Sequence, residues 1–435
     1  MHIFVVAIGT AGDVYPLLGL SKTLVAHGHR ISFCTSPVFR TITERCGLRF
    51  VPLGTEEDYY AAVNDPSMWN PRRSLKTLWK AVAARIEPML DLLCSEIDGD
   101  TLLAAHPWAF AARLINEKYD VPLVTLQISP STFFSAKEPP IHKQFTIPKF
   151  LPYPIRVGLL WAFDRGVLDQ ICGPDINRIR ATLGLRPITH IAGRWIHSPQ
   201  GVLGLFPDWF ATPQTDWPRN VTLTGFPLFD GDSSQLADDE LEAFLEDEPK
   251  PIVFTPGSTV IDDMSYYLTA ASTLNALGQR GVFLASKSIT TMNLPRNILA
   301  RPYVPLSKLL PRAKALVHHG GIGTAAQALA AGIPQLITPF AHDQFDNAVR
   351  VQRLGCGLQA SAPGNTTFTW KPLKTLLESD SIQQRCKEVR SWVEPGETAC
   401  RKALSIIESL TRTFPNRTAA LDLGKQRQVS MHSEL

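Results

Sequence analysis

The segment best suited to chemistry is Val317-His318-His319-Gly320-Gly321-Ile322-Gly323-Thr324. It joins a strand-like run to a helix-like one, so backbone N–H groups gather at a helix start. Those groups and the positive end of the helix suit a diphosphate. Gly320, Gly321 and Gly323 let the backbone approach closely, while His318 or His319 and the Thr324 hydroxyl add donors without a metal. The sequence leaves open which histidine meets the phosphate. Downstream, Asp343 and Gln344 open a helix after a strand, and an adjacent carboxylate and amide can bracket neighbouring sugar hydroxyls. Near the start lies Gly9-Thr10-Ala11-Gly12-Asp13-Val14-Tyr15-Pro16. Its glycines allow a tight turn, and Asp13 is a candidate general base at the mouth of a sheet.

Each of these residues has a plainer use. Asp13 and the Asp343-Gln344 pair stand where helix N-caps stand. A dinucleotide fingerprint fails at Gly9, because the spacing is Gly-x-x-Gly and the second strand ends in Cys34-Thr35-Ser36 with no acid. Asp-Gly-Asp runs at 98–100 and 230–232 read as turns. No metal is expected.

These residues need strands to present them. Ile3–Ile8 is a continuous apolar run, as a strand covered on both faces requires. Helical periodicity follows over Leu17–His27, then strands at Arg30–Thr35 and Arg49–Leu53, and helix at Val38–Cys46. A long helix over Leu75–Ile97, a strand at Thr101–Ala105, a helix near Trp108–Tyr119 and a strand at Pro122–Gln127 continue the alternation. A second series runs from Ile252–Thr255 through Met264–Arg280, Val282–Ser286, Ala315–His319, Gly323–Ala331, Gln335–Pro339 and Phe345–Leu354, with closing helices over Pro372–Leu410. Such order predicts parallel α/β sheets. A ligand between two such units would meet the carboxyl ends of both. The expected division is a first Rossmann-like domain over 1–230, an acidic linker over 231–250, a second domain over 251–411, and a flexible tail over 412–435.

Composition narrows the class. At 435 residues the chain exceeds a single core. Its net charge of +3 gives no reason to expect nucleic acid. The cysteines at 34, 46, 94, 172, 356, 386 and 400 form no Cys-x-x-Cys and suggest free thiols. The N-terminus reads as a strand rather than a signal peptide, and no run suits a membrane span, so a cytoplasmic location is expected. Seven of the nine tryptophans precede residue 220, which suggests a large apolar groove in the first half, although aromatics mostly serve cores.

His319-Gly320-Gly321, Gly332-x-Pro334, Pro339 and Asp343-Gln344 resemble the donor signature of family 1 glycosyltransferases of the GT-B fold. Gly9-x-x-Gly12-Asp13-Val14-x-Pro16 resembles the opening of their bacterial and sterol-type branch. The runs His197–Val202, Thr224–Gly231 and Ala341–Ala348 are similar to members that make rhamnolipids. The resemblance covers about residues 1–410. It implies two Rossmann-like domains facing across a cleft. It also implies an inverting transfer of L-rhamnose from dTDP-L-rhamnose to the hydroxyl of a 3-(3-hydroxyalkanoyloxy)alkanoic acid, with no cofactor. Asp13 then matches the base, and His319 and Thr324 match diphosphate contacts. Asp343 and Gln344 match sugar contacts, Ser258 a nucleotide- and phosphate-proximal loop, and Tyr303 and Val304 the segment beside the nucleobase. Plant-type members carry Trp-Asn inside the His-rich loop, where this chain has Ile322-Gly323.

The acceptor side is placed in the aromatic-rich 128–217 segment and its neighbours: Thr10, Trp108, Phe133, Phe134, Trp161 and Trp195, with Phe206. A free Asp ionises near pH ~3.9, so Asp13 is expected to be charged and ready at neutral pH. A pocket for two acyl chains would allow peripheral contact with the inner membrane, and association with the enzyme that supplies the acceptor is also considered. A glycosyltransferase for a sterol or polyketide acceptor, a non-catalytic nucleotide-sugar-binding partner and a GT-B-like epimerase are the other readings. The intact Asp13 and Asp343-Gln344 argue against the non-catalytic one.

Overall fold

The computed structural model describes residues 1–413 except 71–72, 144, 232–237, 258–262, 362, 364 and 366–369. The first sheet contains β1 (His2–Val6), β2 (Arg30–Thr35), β3 (Arg49–Pro52), β4 (Thr101–Ala105), β5 (Leu123–Gln127), β6 (Gly201–Gly204) and β7 (Val221–Leu223). Its spatial order is β3-β2-β1-β4-β5-β6-β7, parallel throughout. The second contains β8 (Ile252–Thr255), β9 (Gly281–Leu284), β10 (Ile298–Arg301), β11 (Ala315–His318), β12 (Gln335–Ile337) and β13 (Gly357–Gln359). Its order is β10-β9-β8-β11-β12-β13, again parallel. The chain is therefore α/β with two Rossmann-like doubly wound units. In each, the order reverses beside the first strand, so the β1/β4 and β8/β11 edges are the crevices where such folds take ligands.

The apolar runs bury both faces of each sheet. Phe4 and Val6 of β1 enter one core with the long helix Ser74–Glu96, while Ile3 and Val5 enter the other beneath the helix Ala11–Ala26. In the second sheet Ile252 and Phe254 face one side and Val253 the other. A further cluster joins the domains: Phe133, Phe206, Phe210 and Trp217 of the first pack with Ile322 and Val351 of the second.

Several expectations change in detail. The first helix begins six residues early, at Ala11, and carries Pro16 in its second turn, where the missing N–H gives up one helical bond. The acidic stretch is more than a connector: its helix Asp239–Glu246 buries Leu241 and Leu245 against Val253 and Val282 of the second domain. Asp238 anchors it to Arg301 at 2.5 and 3.0 Å. The last helix, Gly396–Thr413, falls almost wholly in the span assigned to the second domain and runs two residues into the assigned tail, yet it buries Cys400, Ala403, Leu404 and Ile407 in the core beneath the first. The first-half helix Glu56–Val63 and the short strands β6, β7, β10 and β13 were not expected. The tail beyond 413 lies outside the described residues.

Candidate active site

Asp13 is positioned by the turn after β1. Gly9 holds φ at +130°, and a Cβ there would fall 2.1 Å from Asp13 Oδ2, so only glycine fits. The Thr10 backbone N–H donates to Oδ2 at 2.7 Å, and the Thr10 hydroxyl at 3.3 Å. Oδ1 stays clear of these bonds and lies 4.0 Å from Nε2 of His106, the residue that follows β4. The carboxylate is 29% exposed. Burial pushes its pKa up to about 7, and the charge of Asp343 from the other domain adds to the rise, against the two Thr10 donors. The expectation of a fully ionised Asp13 at neutral pH is therefore corrected, because removal from water outweighs the hydrogen bonds.

His106 was missed by sequence reasoning. Its Nδ1 accepts from the Trp108 N–H at 3.4 Å, so Nε2 carries the proton of the neutral ring and faces Asp13. Burial holds its pKa down at about 3. The only sequence signal is its place just after a strand; its value depends on β1 and β4 being neighbours.

The second domain answers with two loops. After β11, the paired histidines separate into different jobs. His318 is fully buried, bonds Gln335 Oε1 through Nε2 at 3.0 Å, and accepts the Gly320 N–H on Nδ1 at 3.2 Å. His319 instead has a buried Nδ1 with no hydrogen-bond partner among the described residues. Its ring fills the space beside Gly257 and Gly321, where an added Cβ would come within 2.8 and 2.6 Å of ring atoms. Burial lowers its pKa to about 4, so it meets a ligand as a neutral donor. The helix Ile322–Ala331 starts here, leaving its first N–H groups for a partner, and space opens above Gly323. Thr324 sits in that first turn.

The loop after β12 presses on this one. A Cβ at Gly320, where φ is +99°, would approach the Gln344 carbonyl at 3.0 Å. Asn347 ties both together, donating to the Gly320 carbonyl and to Asp343 Oδ2, each at 3.0 Å. Asp343 is half-buried at the start of the helix Gln344–Arg353. Gln344 is buried, and its Oε1 accepts from the Phe340 and Ala341 N–H groups at 2.9 and 3.1 Å. The oxygen expected at a sugar hydroxyl is thus committed to the turn.

Two independent family models meet this architecture. Residues 3–136 match the glycosyltransferase family 28 N-terminal domain, and residues 282–395 match the erythromycin biosynthesis protein CIII-like C-terminal domain. The two parallel-sheet domains have the GT-B fold of glycosyltransferases. A sterol 3-beta-glucosyltransferase of Arabidopsis thaliana is 28% identical over 82% of the chain, which spans 57% of that protein's length. The O-mycaminosyltylonolide 6-deoxyallosyltransferase of Streptomyces fradiae is 27% identical, covering 92% of the chain and 99% of the relative. The crystal structure of the kitacinnamycin glycotransferase superposes with a TM-score of 0.70 at 19% identity, over 94% of this chain and 99% of that one. Spinosyn rhamnosyltransferase SpnG, complexed with thymidine diphosphate, gives 0.63 at 17% identity, over 93% and 100%.

In this GT-B chain the remaining candidates scatter. The Tyr303 hydroxyl bonds the Asp230 carbonyl, and Asp230 in turn accepts from Ser307 N at 2.7 Å, so the 303–307 loop is tied to the interdomain passage. Val304 is buried in the second domain's core. Ser258 lies outside the described residues. The aromatic candidates form no single groove. Trp195 is buried, stacks on Phe110, donates to Glu117 at 2.7 Å and has Arg113 and Arg180 over its ring. Phe133 stacks on Trp217 at 4.4 Å, and Phe206 is buried beside it. Phe134 belongs to a small cluster with Ala136, Ile147 and Leu160. Trp161 is 55% exposed on an outer helix. Thr10, beside Asp13, remains at the site; Trp108 meets His106 only through its backbone N–H, and its ring packs edge-on against Phe110 at 5.9 Å. Trp69 also reaches across the domains, meeting Phe340 at 5.7 Å and His342 at 5.6 Å. It precedes the segment in which sequence density suggested the groove. Among the described residues no group of three or more His, Cys, Asp or Glu could hold a metal.

Proposed function

We propose that this chain transfers L-rhamnose from dTDP-L-rhamnose to the hydroxyl of a 3-(3-hydroxyalkanoyloxy)alkanoic acid, giving a mono-rhamnolipid with inversion at the anomeric carbon. In this reading it resembles the rhamnosyltransferases of rhamnolipid synthesis. One observation carries the reaction class: Asp13, with its pKa near 7, lies close enough to Asp343 at the second domain's glycine–histidine loops for that charge to raise it further. The acceptor hydroxyl gives its proton to Asp13 as its oxygen bonds the anomeric carbon. The bond from that carbon to the diphosphate breaks, and its electron pair leaves with dTDP. His319, the N–H groups at 322–324 and the Thr324 hydroxyl take up the developing charge. Asp343 and the Gln344 amide nitrogen hold the sugar. The neutral His106 stands 4.0 Å from the free oxygen of Asp13, close enough to face it but without a hydrogen bond.

The rhamnose and the acceptor rest on resemblance in the runs His197–Val202, Thr224–Gly231 and Ala341–Ala348. A sterol or polyketide-type acceptor is the second reading, favoured by the names of the plant sterol glucosyltransferase and the Streptomyces deoxyallosyltransferase. Pure protein incubated with dTDP-rhamnose and each acceptor class, followed by mass spectrometry, separates them. Product on a sterol or macrolide and none on the hydroxyalkanoyl lipid overturns the first reading and keeps the class. No turnover with any nucleotide sugar, alongside intact dTDP binding, would favour a non-catalytic partner.

A further inference from the structure

The helix Tyr153–Phe163 is unusual for a protein in water. Only Leu160 along it is buried, fixed in a small cluster with Ala136 and Ile147. Ile155, Val157, Leu159 and Trp161 are all exposed, and Phe150 just before the helix is 84% exposed. So many exposed apolar side chains on one short segment mark an interaction site. The positions are two apart, so they wind around the helix rather than form one stripe. A helix apolar on all sides calls for an apolar surrounding.

Charge indicates the surrounding. Residues 139–163 contain no Asp or Glu, but carry Lys143, Lys149 and Arg156. Lys143 and Lys149 are exposed on the segment before the apolar helix; Lys149 also pairs with Glu138 at 3.5 Å, and Glu138 in turn meets Arg350 and Arg353, so positive charge still outweighs negative around the helix. We propose that the helix Tyr153–Phe163, with Phe150 and its flanking lysines, is a docking surface for an anionic lipid bilayer. Eleven residues span about 16 Å, roughly half of a hydrocarbon core, so the helix lies in the interface and does not cross. A second copy of this chain fits worse, because a two-fold contact sets the same surface against itself and would bring these like charges together.

The surface is mechanically joined to the site. Between them, Glu138 is bonded by Arg353 at 2.8 Å and Arg350 at 3.4 Å, and the Ile141 N–H donates to Asp346 at 3.2 Å. Those three partners all lie on the helix Gln344–Arg353, whose first turn carries Asp343 and Gln344. Uptake of acceptor from the bilayer rests on the lipophilic-acceptor reading above; docking itself does not.

The test is flotation of the full chain with phosphatidylcholine vesicles, with and without phosphatidylglycerol, and turnover on a short-chain, water-soluble acceptor measured in parallel. Binding is expected to the anionic vesicles and to weaken with salt. Ile155→Ser with Leu159→Ser should reduce it at least ~10-fold. Lys143→Glu should reduce it by at least ~5-fold. Turnover on the soluble acceptor should be unchanged in each. If the double variant misfolds by circular dichroism, Phe150→Ser, outside the helix, serves in its place. Wild-type affinity in the apolar variants overturns the proposal, as does absence of wild-type binding. A wild-type dimer that the double variant converts to a monomer, with no vesicle binding, assigns the face to self-association. Vesicle binding without turnover on the lipid acceptor keeps the docking surface and removes the acceptor reading.

Discussion

Asp13→Asn separates base chemistry from architecture, because asparagine keeps an oxygen for the Thr10 N–H but cannot take a proton. Loss of a general base should lower kcat by about a hundred- to ten-thousandfold. Binding of dTDP, measured calorimetrically, should change little. In the wild type the fraction of ionised Asp13 sets kcat/KM, so with a pKa of about 7 the rate should rise about tenfold from pH 6 to pH 8. Stability should move the other way. The folded pKa lies about 3 units above the unfolded value of 3.8, so the folded state holds this proton more tightly. That stabilisation is full below pH 3.8 and is lost as pH rises to about 7. At about 1.4 kcal/mol per unit, the ionised carboxylate costs up to about 4 kcal/mol at pH 8. The Asn variant escapes that cost, so it should melt several degrees higher than wild type at pH 8 and at the same temperature near pH 4. Activity within a few-fold of wild type would remove Asp13 as the base. Equal melting temperatures at pH 8 would refute the claim that burial dominates its pKa.

The paired histidines should respond differently to alanine. His318→Ala should destabilise the fold by about 1–3 kcal/mol in denaturant titration, because Gln335 and the Gly320 N–H lose a buried partner. His319→Ala should leave stability nearly unchanged and weaken dTDP binding about tenfold by calorimetry. Asp343→Asn removes a charge that raises the Asp13 pKa, so the pH–rate inflection should move to lower pH while the donor KM rises. If His319, Thr324 and backbone N–H groups meet the charge on the leaving group as proposed, chelation with EDTA should leave turnover unchanged.

The order of strands and helices was legible because both sheets are covered on both faces. That forces continuous apolar runs such as Ile3–Val6 and Ile252–Phe254, which stand out from their polar surroundings. β6, β7, β10 and β13 escaped: each is only 3 or 4 residues long, and β6 and β7 lie in or beside a proline- and aromatic-rich stretch that hides their apolar runs. The loops that carry Asp13, His319 and Asp343 were readable from local glycine spacing. His106 was not, since its meaning arises only when β4 pairs with β1 across some hundred residues of chain. The aromatic groove was misjudged for a related reason. Tryptophan density reports how much apolar area exists, not where it goes, and Trp195 and Phe133 went into cores while Trp161 went to the surface. The last helix shows an apolar face in its sequence, but a face does not name its partner. Gly225 and Gly396 permit its return: a Cβ on Gly396 would fall 2.0 Å from the Pro227 carbonyl, and one on Gly225 would fall 3.2 Å from Ala399.

The sequence suggested Asp13 as a helix N-cap; instead Thr10 caps the helix and Asp13, its third residue, bonds back to the Thr10 N–H, which leaves one oxygen for the proposed base role. A carboxylate in the first turn of a helix is ordinarily favoured in its charged form by the helix dipole and by N–H donors. By itself that would yield a weak base with a low pKa. Here Oδ2 alone takes the Thr10 donors, which fixes the side chain and leaves Oδ1 for a proton. Burial in the cleft then reverses the sign of the shift, with Asp343 adding to it. Without the cap the carboxylate would rotate out of reach; without burial it would be too weakly basic to accept a proton from an alcohol. The pair of effects requires a glycine at position 9, where any Cβ would displace the held oxygen, burial of the carboxylate, and the charge of Asp343 on the second domain. Basicity at Asp13 is therefore set by both halves of the chain, and a separated first domain would retain the cap but lose the contribution of Asp343.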